Sequence, residues 1–415
     1  MALNNLRAIV ILIVVAFHSV LAYLAWLGST PFPFDRSPFQ WRAFPIIDSH
    51  RWFGFDLICA WQDVYLMAMM FFLSALFAWP SLRRKGTSKF LTDRLLRLGV
   101  PFIFAIIIVM PIALYPVYAV TAVDPSLTAY AEHYLALPFW PNGPMWFLWQ
   151  LLALSFLAAM LSRVAPGWVE HLATTSGASP RRFVIWLLGA SILAYVPLAL
   201  IFTPWLWAEH GPLGLQFSRP LLYCVLYCAG LGIGAHGLDR GLLASDGPLV
   251  RHWAVWFASA LAAFLLWMGL TALAMGYVPT APFAMQLVVD ISFATACVCG
   301  CLFVLAFCLR FGAIQSPILN NLAENAFGIY LFHYPFVVWL QYALLPFAWP
   351  AIMKGTIVFA GATALAWAMA VATRLIPFGA LLVGAERRLL ATSPALQGQY
   401  SRAQPPLPHP RIVGR

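Results

Sequence analysis

The sequence predicts an all-α, polytopic membrane protein of about ten transmembrane helices with both termini cytoplasmic. Three observations carry that reading. Apolar residues make up 62% of the 415 and charged residues only 9%, whereas soluble domains carry roughly 25% charged residues. Apolar runs near the ~20 residues that cross hydrocarbon recur at about 6–27, 55–79, 97–119, 145–165, 183–206, 219–238, 253–275, 284–309, 323–345 and 352–376. With both ends inside, 19 of the 24 Lys and Arg fall in inner segments, as the positive-inside bias requires. That asymmetry explains the net charge of +10 as topology and contact with anionic lipid. The bilayer is the implied partner and no nucleic acid is needed. Residues 1–378 form one transmembrane domain, and residues 379–415 read as a basic, Pro-rich cytoplasmic tail with a disordered composition.

The first run, LRAIVILIVVAFHS, is longer than the apolar core of a cleaved leader, so a retained helix is expected. Arg7 and His18 stand eleven residues apart, about 1,100° of rotation, so they share one face about 16 Å apart. An ionisable group at that depth is expensive and marks a functional site by default; a histidine satisfied by a neighbouring helix is the plainer alternative. A Pro- and aromatic-rich outer loop follows over 28–54, long enough to carry part of a binding surface. In the second run Asp56, Asp63, Met70 and Ser74 share one helical face. Asp63 is then expected at the level of His18, where a carboxylate either orients a catalytic imidazole or satisfies a polar neighbour.

The next inner stretch, SLRRKGTSKFLTDRLLRLGVPF, is the most basic in the chain. Anchoring explains Arg83, Arg84 and Lys85. Arg94 and Arg97 differ, standing at i, i+3 on one face before Pro101. Paired guanidiniums at a membrane entrance suit phosphates, with lipid headgroups as the alternative ligand. At the opposite side, WPNGPMWFLWQLL places a Pro-Asn-Gly-Pro turn before Trp146, Trp149 and Gln150. These serve as an interfacial aromatic belt, or Trp146 and Gln150 hold a sugar ring by stacking and amide hydrogen bonds. Asp290 in the eighth run is an acceptor-site group or a hydrogen-bond partner. Cys297, Cys299 and Cys301 are dense enough to suggest a metal, but a step of two turns a helix ~200° and scatters the thiolates. Packing is the expected role and no metal site is expected. In the ninth run His333 lies about ten residues from the inner end, level with His18, and Tyr330 lies one turn away.

Several ordered stretches resemble the acyltransferase-3 family of polytopic membrane proteins. They are LRAIVILIVVAFH with its Arg-x10-His spacing, MFFLSA containing Ser74, RLLRLGVPF with Arg-x-x-Arg before Pro, MWFL, and FGIYLFHYP. The shape is most similar to the branch containing glucan biosynthesis protein C. Ala75 stands where the family commonly has Gly, and Gln150 near a position that is Glu in some members. The resemblance implies a bacterial inner-membrane enzyme moving an acyl group from cytoplasmic acyl-CoA, succinyl-CoA or acetyl-CoA, to a periplasmic or cell-surface carbohydrate. On this reading His18 and His333 are catalytic, Arg7, Arg94, Arg97 and Ser74 hold the donor, and Trp146 and Tyr330 meet the acceptor; Asp63 joins the catalytic set from its expected depth alone, and Gln150 joins the acceptor set from its amide chemistry.

A proton-coupled secondary transporter is the rival reading, with His18, Asp63 and His333 as the relay. Such transporters commonly contain repeated halves, and the pattern of the first run has no second copy.

Overall fold

The computed structural model describes residues 2–277, 280–377 and 379–384. Long helices form at all ten apolar runs: α1 (Ala2–Val20), α2 (Phe53–Lys85), α3 (Thr87–Ala119), α4 (Trp146–Val164), α5 (Pro180–Phe202), α6 (Pro220–His236), α7 (Trp253–Met275), α8 (Phe283–Phe311), α9 (Pro317–Leu344) and α10 (Ala351–Leu375). Eight of them are apolar and long enough to cross a bilayer, and α6 makes a ninth when taken with the bent segment that follows it. The exception among the ten is α9. Its 28 residues suffice for ~42 Å, but buried Asn325, His333 and Gln341 interrupt its apolar character. The helix that departs furthest from a lipid-facing composition is thus one that carries a site residue.

Helix α3 contains two wider π turns, Leu95–Gly99 and Ala105–Val109. Each ends two residues before a proline, Pro101 and Pro111. Proline has no N–H to donate and crowds the carbonyl four residues back, and a wider turn absorbs that conflict. Arg94 and Arg97 flank the start of the first π turn.

Helix α1 runs through the middle of the bundle. Asn5 donates to the carbonyls of Gly312 and Ile314, both at 2.8 Å. At the other end, the Gln341 amide donates to the last α1 carbonyls, His18 at 2.9 Å and Ser19 at 3.2 Å. A helix end buried in protein needs such partners. The outer loop is fixed by a fully enclosed ion pair, Lys354 Nζ to Asp48 Oδ2 at 2.6 Å.

Between α5 and α6 a short antiparallel hairpin, β1 (Trp207–His210) and β2 (Leu213–Gln216), pairs Trp207 with Gln216 and His210 with Leu213. It lies over the Pro-Asn-Gly-Pro turn. Trp140 N donates to Gly211 O at 3.2 Å, Asn142 Nδ2 to Pro212 O at 3.0 Å and Trp149 Nε1 to Gly214 O at 3.1 Å. Arg42 from the first outer loop pairs with Glu209 at 2.6 Å. Trp149 therefore pins the hairpin to the start of α4.

Residues 379–384, assigned from sequence to the tail, are ordered with the bundle. They include the short helix Gly379–Leu382, and Val383 lies beside Gly328 of α9. The tail from 385 onward lies outside the described residues.

Candidate active site

His18 sits in the last turn of α1 and His333 in the middle of α9. Their rings tilt together with centroids 5.1 Å apart. His18 Nδ1 is 2.8 Å from the Val14 carbonyl and His333 Nδ1 is 2.7 Å from the Tyr330 carbonyl. A carbonyl oxygen only accepts, so in the neutral pair both protons sit on Nδ1. His333 Nε2, a bare lone pair in that tautomer, lies 3.4 Å from His18 Nδ1. The His18 Nδ1–H is thus shared between Val14 and His333, and its Nε2 is left as an unprotonated base. His333 has no accessible surface, while His18 is only half-buried. The ring able to meet a reactant is His18, and His333 stands behind it. Tyr334 and Phe17 close edge-on around His18, with centroids at 5.7 and 5.4 Å.

The Tyr330 hydroxyl donates to the Pro144 carbonyl, which ties the histidine helix to the Pro-Asn-Gly-Pro turn. Gly143 in that turn has φ +45°, and a Cβ there would meet Met110 Cε at 2.7 Å and Tyr334 at 3.1 Å. Glycine supplies both the left-handed backbone and the room. Trp146, two residues beyond Pro144, stacks on Tyr223 with centroids 6.0 Å apart and 19° between planes. Gln150 lies one turn further into the bundle on the same face and is buried.

Asp63 does not join the histidines. Arg219, immediately before α6, grips both its oxygens, Nη1 to Oδ1 at 2.9 Å and Nη2 to Oδ2 at 2.5 Å. The sequence places Asp63 at the right turn of its helix for a deep site. Its position on α2 (Phe53–Lys85) turns it to the start of α6, where Arg219 takes the carboxylate. The partner, Arg219, was one of the few outer cations and had no motif to single it out.

At the opposite end, Arg7, Arg94 and Arg97 lie within electrostatic range of one another. Arg7 stands over the Phe77 ring at 5.7 Å and Arg94 over Phe90 at 5.1 Å. Because α1 is unbroken from Ala2 to Val20, the ~16 Å between Arg7 and His18 is kept. Ser74, half-buried on α2, is one turn from Phe77 on the same side.

The fold is a bundle of long apolar helices that holds a pair of imidazoles, with guanidiniums clustered at one end and aromatic rings toward the other. Residues 2–371 match the family model described as an acyltransferase domain, acyltransferase 3. The chain belongs to that family and is a membrane acyltransferase. No curated protein and no solved structure matches it.

Proposed function

We propose that the protein moves an acyl group, succinyl or acetyl, from cytoplasmic acyl-CoA to a carbohydrate hydroxyl on the far side of a bacterial inner membrane. The donor's phosphates engage Arg94 and Arg97 with help from Arg7, and its thin pantetheine arm runs beside α1 and Ser74 toward His18. The sugar hydroxyl enters past Trp146 and Gln150. His18 Nε2 takes its proton, the alkoxide attacks the thioester carbonyl, and the C–S bond breaks. The imidazolium returns the proton to the departing CoA thiolate, so the ring is regenerated. Only the acyl group crosses. Acceptance of a periplasmic glucan, the substrate of the branch this sequence resembles, belongs to this proposal.

What supports the reading is a half-buried His18 whose Nδ1 is engaged by Val14 and faces His333, which leaves Nε2 for a reactant. The rival proton relay needs Asp63 beside the histidines, and its carboxylate is taken by Arg219. Mass analysis of envelope glycans from cells with the gene, without it, and with His18→Ala is the test. Loss of a succinyl or acetyl mass in both deficient strains is expected. Identical glycans in all three would sink the proposal.

A further inference from the structure

The Asp63–Arg219 pair is not enclosed like an ordinary buried ion pair. The Arg219 side chain is 6% exposed, but that of Asp63 is 35% exposed. A carboxylate open to lipid is costly, so a 35% exposed one calls for a polar partner on its accessible edge. A chain of aromatic rings leads away from its guanidinium partner. Tyr223 reaches the same guanidinium, Phe293 lies under it at 5.0 Å, Trp146 stacks on Tyr223, and Trp207 of the hairpin meets Trp146 edge-on at 5.7 Å. Trp146 and Trp207 are both only partly buried.

We infer that Asp63, held by Arg219 beside Tyr223, Trp146 and Trp207, forms a binding subsite for a neutral pyranose ring. A carboxylate offers about four lone-pair directions, and the bidentate guanidinium occupies two. Those left on the exposed edge suit the two hydroxyl donors of a vicinal diol. A pyranose presents its C–H face to aromatic rings and its hydroxyls around the rim, and partly exposed tryptophans on one side with a fixed carboxylate on the other match both. The paired charges cancel, so an anionic or cationic ring gains nothing here. The hairpin closes one side through Trp207, and Arg42–Glu209 with Trp149 hold it there. The subsite abuts the chemistry: Trp146 is two residues from the carbonyl that receives the Tyr330 hydroxyl.

The choice of a sugar rests on the acyltransferase reading above, but the subsite is tested by binding alone. Full-length protein in nanodiscs is dialysed against a tritiated β-linked glucose tetrasaccharide without donor, for wild type, Asp63→Asn and Trp207→Ala. Both variants are expected to weaken sugar binding by about tenfold or more, since each removes a partner from a desolvated polar contact or stack. CoA binding should stay within about twofold. Trp207 lies on the surface hairpin, so its variant reports even where Asp63→Asn leaves Arg219 unpaired and unfolds. Unchanged sugar affinity in the folded variants, or none in wild type, overturns the inference. Sugar bound by wild type and lost in the variants, with no acyl product formed from any donor, would instead leave the subsite standing and remove the enzymatic proposal.

Discussion

At the residue scale, His18 and His333 divide the work of a base and its orienter. The lone pair of His333 accepts from His18 Nδ1–H only while its own proton stays on the Tyr330 carbonyl, so the α9 backbone sets the tautomer of a ring on α1. His18→Ala removes the base and is expected to lower kcat by about 10²–10⁴, with donor binding retained. His333→Phe keeps an aromatic filler but loses the acceptor, so kcat is expected to fall about 10–100-fold while both KM values hold. A variant whose KM rises with kcat intact would place His333 in substrate binding instead. Both histidines were legible in the sequence because each is ionisable, alone in an apolar run, and at equal distance from the same end. Asp63 was placed by its depth from the opposite end, and it pairs with Arg219 instead, because periodicity gives the face of a helix and not which neighbour that face meets.

At the scale of elements, packing is set by glycines that the pattern of apolar runs does not rank. Gly230 and Gly234 of α6 lie one turn apart against α2. A Cβ on Gly230 would meet the Phe72 carbonyl at 2.5 Å and Ala75 Cβ at 2.8 Å, and one on Gly234 the Leu76 carbonyl at 2.1 Å. Ala75, where the family commonly has Gly, thus faces a glycine on the partner helix, and the close approach is made from that side. Small residues four apart let membrane helices meet backbone to backbone. Gly234→Val should cost on the order of 1–3 kcal/mol from overpacking against main chain, read as a lower midpoint of thermal unfolding in detergent. An unchanged midpoint would mean α2 and α6 separate freely. The Asp48–Lys354 pair is a second staple, joining the outer loop to α10. Lys354 stands in the apolar stretch AIMKGTIV, and nothing in its neighbours foretells its burial. Lys354→Met strands a buried carboxylate and is expected to cost about 3–5 kcal/mol. Adding Asp48→Asn should recover part of that loss, whereas additive losses would show that the two residues are not coupled.

At the scale of the whole molecule the two ends differ in kind, and the difference gives a prediction about salt. One end gathers cations at Arg7, Arg94 and Arg97; the other presents tryptophans and a neutralised carboxylate. The carboxylate nearest in sequence to the cluster, Asp93, is bonded to Lys85 at 2.5 Å. Asp93 also acts on Arg94 and Arg97 and offsets part of their charge, and the net positive charge that remains favours a polyanion, so donor capture should be screened by salt. Raising ionic strength from about 50 to 300 mM shortens the Debye length from roughly 14 to 6 Å. The KM for acyl-CoA should then rise severalfold, while the KM for a neutral sugar stays flat. Arg94→Gln should raise the donor KM about tenfold and shallow its salt dependence, since a charge-assisted phosphate contact contributes about 1.5–3 kcal/mol. Arg83→Gln, an equal loss of charge on the anchoring stretch at the end of α2, is the control and should leave the donor KM nearly unchanged. If both substitutions act alike, the basic end attracts the donor only as a diffuse field, and the cluster has no specific hold on phosphate.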